Sequence, residues 1–318
     1  MSFITKIKYE YHRRVLNDLK KNSNSSILIK ELCKITDHET FFKLAEENMI
    51  DLLKNTQNEI LNSKIIWLNS FFEEGQDLIE DFIYFYLKNF YPELNQFDNY
   101  ENLLHRKYSN FQKLKSPPDE YFIHNSYLFQ WLILKDLNED SFFIKNRFSF
   151  FSNSQNLNFT NRSLTKNYLL LIEHPYRAYQ KIKDNCNGDQ ELAKNIFLNL
   201  DQRSDPIEID NFKYFIPQNG WLNHSKSWLD LNVLDSLKGL IIQKENIIKS
   251  PSESFIKIIM HLIQGGLKVE LSYEIIDQFI QKNNFNENDL PPINISNNEK
   301  KFLRNYLKDI NELIDYEL

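Results

Sequence analysis

A chain of 318 residues can bury a sizeable core, as one large domain or two small ones, and its 42% hydrophobic and 26% charged content excludes global disorder. The net charge of −6 argues against broad electrostatic capture of nucleic acid or of an anionic membrane, which needs surplus Lys and Arg, and leaves room only for a local basic patch. Two cysteines, Cys33 and Cys186, without metal-ligand spacing around either, argue against a disulfide framework or a zinc site and point to a reduced cytoplasm.

The amino-terminal stretch MSFITKIKYEYHRRVLNDLK mixes charges throughout and has no apolar h-region, so no signal peptide is expected. No run approaches the ~20 apolar residues of a membrane span, so no membrane partner is expected, and the net charge of −6 leads to the same expectation for nucleic acid. Apolar residues at three- and four-residue spacing predict helices over residues 1–60, broken at SNSS (23–26), as an N-terminal helical arm. The remainder, 61–318, reads as one α/β domain.

From Lys64 short apolar runs alternate with amphipathic helices. Strands are predicted at 64–69, 141–145, 168–173 and 237–243, and helices at 77–90, 120–135, 175–185, 189–200, 221–231, 251–264, 272–282 and 297–314. Continuously apolar strands separated by helices predict a three-layer α/β sandwich with a mainly parallel central sheet. Ligands in such sheets bind at the carboxyl ends of strands, which selects 70–77, 145–151, 173–181 and 243–251.

The first of these turns reads Ser70-Phe71-Phe72-Glu73-Glu74-Gly75-Gln76-Asp77, with three carboxylates where a phosphate loop would place its anion. The chain has six scattered glycines and no G-x-G-x-x-G or Walker loop. Ser70-x-x-Glu73 reads as a capping box, with Glu74 and Asp77 favouring the positive end of the following helix.

Lys145 and Arg147 end the second strand, and Arg177 and Lys181 follow the third. Together they would make a small basic pocket for a sulfate, phosphate or acidic sugar, or they pair with Glu173. His174 is a candidate general base, or else a loop histidine beside the helix-starting Pro175. Trp221, His224 and Trp228 lie in one short segment, with Trp221 and Trp228 seven apart and roughly on one helix face, suited to stacking on a sugar or to core packing. No histidine pair has metal-ligand spacing.

Several segments resemble the sulfotransferase family, whose members move sulfonate from the nucleotide PAPS to a hydroxyl or amine. The residues are FFIKNRFSFFSNSQNLNFTNRSLTKNYLLLIEHPYRAYQKIK (142–183), IPQNGWLNHSKSWLDL (216–231) and LKGLIIQKENIIKSPSESFIKIIMHL (237–262), and the likeness runs over roughly 64–315. It implies a P-loop-like sulfotransferase fold and PAPS as cofactor if the protein is active. Carried across, the phosphosulfate loop falls on 72–77, keeping only Gly75, with Gln76 beside it. The family's basic residue falls on Glu73, its general-base histidine on Arg147 beside Lys145, and its 3′-phosphate ligands on Glu173 and on Gln180 or Lys181. The closing carboxyl-terminal loop has no counterpart between Phe285 and Ser296.

A carboxylate about 5 Å from a phosphate charge repels it by roughly 3 kcal/mol at an effective dielectric near 20. The resemblance therefore implies a divergent, non-catalytic or weakly active protein that binds a small-molecule or glycan acceptor, or a protein partner. The alternative is an active sulfotransferase with a non-standard site: His174, Lys145 and Arg147 as catalytic residues, and Gly75, Gln76, Arg177 and Lys181 around PAPS. A third reading, a purely structural or interaction protein, requires the strand-end pocket to be closed by side chains.

Overall fold

The computed structural model describes residues 64–71, 75–93, 98–99, 130, 134, 141–150, 158–198, 207–209, 212–214, 220–286, 290–314 and 316. The expected helical arm, Glu73, Glu74 and most of the expected 120–135 helix lie outside them.

Strands β1 (Lys64–Ser70), β2 (Asp98–Asn99), β3 (Ser141–Asn146), β4 (Thr165–Ile172) and β7 (Gly239–Gln243) form one sheet in the order β2-β3-β1-β4-β7. Every pairing in it is parallel. A separate antiparallel pair joins β5 (Ile207–Ile209) to β6 (Phe212–Tyr214). The described helices are α1 (Gln76–Lys88), α2 (Pro175–Asn185), α3 (Gln190–Leu198), α4 (Trp221–Leu229), α5 (Leu231–Leu237), α6 (Lys244–Lys249), α7 (Pro251–Gln264), α8 (Tyr273–Asn283) and α9 (Asn297–Ile314).

β1 is apolar almost without interruption because it is central and buried on both faces. Alternate residues serve opposite sides. Ile66 and Leu68, with Leu169 and Leu171 of β4, pack against Phe82 of α1, Phe255 of α7 and Phe279 of α8. Phe82 stacks on Phe255 with ring centroids 4.0 Å apart. Ile65 and Trp67, with Leu170 and Ile172, pack on the other side against Tyr179, Phe197, Trp221, Trp228 and Leu303. Each fully buried aromatic or aliphatic side chain here contributes about 1.5–3 kcal/mol of hydrophobic free energy.

Three features depart from the sequence expectation: the cap of α1, the break within 221–231 and the helix after β7. Ser70 is the buried last residue of β1 and is not the N-cap of α1: the helix starts at Gln76, and its N-cap is Gly75 at φ 92°, without a side-chain cap. β1 continues to Ser70 because its backbone pairs with Leu171 of β4. The helix expected over 221–231 breaks at Asp230, whose carboxylate accepts from the Asn232 and Val233 N–H groups and starts α5. The stretch after β7, expected to be a loop, is the short helix α6.

Candidate functional site

From β1 the chain moves toward β3 on one side of the sheet, and β4 and β7 lie on the other. The carboxyl ends of β1 and β4 therefore flank a topological switch point, the place where open α/β sheets hold ligands.

On the β1 side, Gly75 takes φ 92°, a conformation that L side chains rarely adopt, and the space over it is also occupied. A Cβ there would meet Leu171 Cδ2 at 3.0 Å and Lys244 Cδ and Cε at 3.4 Å. Gln76 is buried, and its amide donates to the Leu68 carbonyl and, at 3.3 Å, to the Asn146 carbonyl. Asn146 donates in turn to Asn69 Oδ1 at 2.8 Å and to the Phe148 carbonyl at 3.2 Å. A polar plug thus fills the gap between the ends of β1 and β3.

Lys145 turns away from β4. It pairs with Glu80 at 2.5 Å and with Asp77 at 3.4 Å, both on α1. Burial lowers its proton affinity, but the two carboxylates more than offset this and hold its pKa above the usual lysine value. Arg147 lies half-buried in the turn after β3.

On the β4 side, five charged groups meet. Glu173, buried at the end of β4, takes Lys181 at 2.9 Å and Lys244 at 3.4 Å. Glu245, also buried, takes Arg177 Nε at 3.5 Å, the His174 backbone N–H at 3.0 Å and the Tyr316 hydroxyl at 2.7 Å. Burial, and then the charge of neighbouring Lys181, lowers the Lys244 pKa against the opposing pull of Glu173. Three cations face two carboxylates. Arg177 Nη1 is buried without a hydrogen-bond partner.

His174 is the N-cap of α2. Its Nδ1 accepts the Tyr176 N–H at 3.1 Å, and its ring lies between Tyr176 and Tyr316, with centroids 5.1 and 4.9 Å away. Accepting at Nδ1 places the proton of the neutral ring on Nε2. The cap explains why a histidine precedes Pro175 at the helix start.

The structure therefore brings His174, Arg177 and Lys181 into one cluster, pairs Lys145 of β3 separately with carboxylates of α1, and uses Gly75 and Gln76 for backbone and packing. Lys244, Glu245 and Tyr316 complete the cluster and were not singled out from the sequence. The pattern selected their neighbourhood at 243–251, but nothing local marks a tyrosine 71 residues beyond its carboxylate partner.

His224 is buried among the core aromatics, its ring 5.7 Å from Phe71 and its Nε2 without a partner. Burial pushes its pKa down to about 3. Trp221 and Trp228 on the same helix are core residues, Trp228 Nε1 donating to the Phe148 carbonyl at 2.8 Å.

Among the described residues no group of His, Cys, Asp and Glu is placed to hold a metal, and no helix is long and apolar enough to cross a membrane. A nucleotide bisphosphate needs converging backbone N–H groups and cations that are not already neutralised. The described residues do not meet that need: Lys145, Lys181 and Lys244 are paired, and Leu171 and Lys244 cover Gly75. The fold and this edge define an α/β protein with a parallel sheet and an internally paired charge cluster at its switch point. No protein-family model matches the chain, and no curated protein matches it.

Proposed function

We propose that this protein is a divergent relative of the sulfotransferases, with their three-layer, P-loop-like sandwich, in which the nucleotide edge has been turned into internal structure. On this reading it is a non-catalytic cytoplasmic protein that acts by binding a small molecule, a glycan or a protein partner. The observation that carries the proposal is the pairing of Lys181 and Lys244 with Glu173 and of Arg177 with Glu245. A phosphate entering there would compete with two buried carboxylates for the cations and would be repelled by each, by roughly 3 kcal/mol at about 5 Å.

One observation favours the alternative of an active enzyme moving sulfonate from PAPS to a hydroxyl or amine. Arg177 keeps Nη1 unpartnered, and a guanidinium with an open donor suits an oxyanion. In that reading Lys145, Arg147, Arg177 and Lys181 hold the donor and the base is a carboxylate, or His174 once its Nδ1 lets go of the Tyr176 N–H.

Calorimetric titration with 3′,5′-adenosine bisphosphate at low salt separates the two. No saturable binding is expected at the carboxyl edge. Micromolar binding there would overturn the non-catalytic reading and support the enzyme.

A further inference from the structure

The opposite edge of the sheet holds a cavity of about 330 Å³, lined by Lys64, Arg162, Lys166, Ser236, Lys238 and Gly265 among others. Its position follows from the parallel sheet: Lys64 opens β1, Lys166 lies at the start of β4, and Lys238 immediately precedes β7. Among the described residues four cations line it, and none of the described lining residues is a carboxylate. Lys64 Nζ donates to the Arg162 carbonyl at 3.0 Å, and Lys166 Nζ to Ser141 Oγ at 2.6 Å. Lys64, Arg162 and Lys238 form no ion pair among the described residues.

Such a cluster is unfavourable by itself. Burial first, and then the charges of Arg162 and Lys238, hold Lys64 below the ordinary lysine pKa. The cavity also borders two helix carboxyl ends, those of α5 at Lys238 and α7 at Gly265. Each supplies at most about half a negative charge, which leaves the cavity positive.

Lys238 adds an independent sign. It adopts φ 52° and ψ 71°, the left-handed cap conformation that glycine takes without steric cost, and a glycine stands at the next position, Gly239. The strained conformation is held by a lysine whose charge faces other cations, a departure from local preference of the kind that accompanies function.

We propose that this cavity binds a small, multiply charged phosphate, a diphosphate or a phosphate ester of few atoms, with Lys64, Arg162 and Lys238 as its cationic ligands. Its volume lies at the lower end of small-molecule sites. The proposal is independent of the reading of the carboxyl edge.

The test is calorimetry of the full chain with inorganic pyrophosphate at low salt, on the wild type and on two variants. Arg162 is exposed and its side chain makes no hydrogen bond or ion pair among the described residues, so Arg162→Gln leaves the fold intact. Lys238→Gly removes a charge and relieves the left-handed backbone at once. We expect saturable binding to the wild type, at least tenfold weaker in each variant, while the unfolding midpoint of Lys238→Gly rises. A merely structural lysine would not move affinity and stability in opposite directions. Absence of saturable binding, or variants that bind like the wild type, would overturn the site.

Discussion

Tyr316 and Glu245 are both buried and share a 2.7 Å hydrogen bond from hydroxyl to carboxylate. The same hydroxyl lies 3.1 Å from the Ile172 carbonyl, so one phenol ties the carboxyl-terminal segment to β4 and to α6. Burial, and then Glu245, raise its pKa well above the usual phenol value, which keeps it a donor at every ordinary pH. Tyr316→Phe removes the donor and leaves both acceptors short of a partner. A loss of about 2 kcal/mol is expected in urea unfolding.

Glu173→Gln removes the shared counter-charge of Lys181 and Lys244. Stability is expected to fall by about 2 kcal/mol, because two cations are left facing each other in a partly buried site. The same change is expected to confer binding of 3′,5′-adenosine bisphosphate, read in the Arg162→Gln background so that the opposite edge contributes little. If the double variant gains no affinity, internal pairing is not what closes this edge.

His224 gives the fold a dependence on acid. Its folded-state pKa, near 3, lies below the ordinary value of 6.5. Below about pH 6.5 the unfolded chain takes up a proton that the buried ring refuses, so stability falls with pH, by up to about 1.4 kcal/mol per unit. His224→Phe, which also removes an unpartnered buried nitrogen, is expected to be at least as stable at pH 7 and to lose less between pH 7 and 5. His261, also held down first by burial, keeps part of that slope in both proteins. Equal slopes for variant and wild type would count against the burial of a neutral His224.

Gln76→Leu tests whether the first helical residue is structural. The amide serves two strand-end carbonyls, and its loss is expected to lower stability by about 1–3 kcal/mol while leaving pyrophosphate binding unchanged.

How much of this was legible in the sequence depended on the range of the interaction. α7 and α9 fall where their apolar spacing predicts, because each buries one strongly periodic face. α5 and α6 escaped because seven and six residues are too short for the period to register, although Asp230 is a capping signal that a closer reading would use. Ser70 does not start α1 for the opposite reason, since its backbone is paired with β4 and the helix begins later, with Gly75 as its N-cap. At the candidate site, the pairing of Lys181 with Glu173 was among the options the sequence left open. The involvement of Lys244, Glu245 and Tyr316 was not, because it depends on which strands are neighbours.

The placement of β1 between β3 and β4 also sets a schedule for the growing chain. Asn69 bonds to Asn146 across 77 residues, and Trp67 to Thr165 across 98. Neither edge of this apolar strand finds its partner until β3, and then β4, has left the ribosome. At about 5–20 residues per second, that interval lasts roughly 5–20 s. Throughout it, both edges of Ile65 to Leu68 lack their native strand partners, the arrangement that invites pairing with other chains.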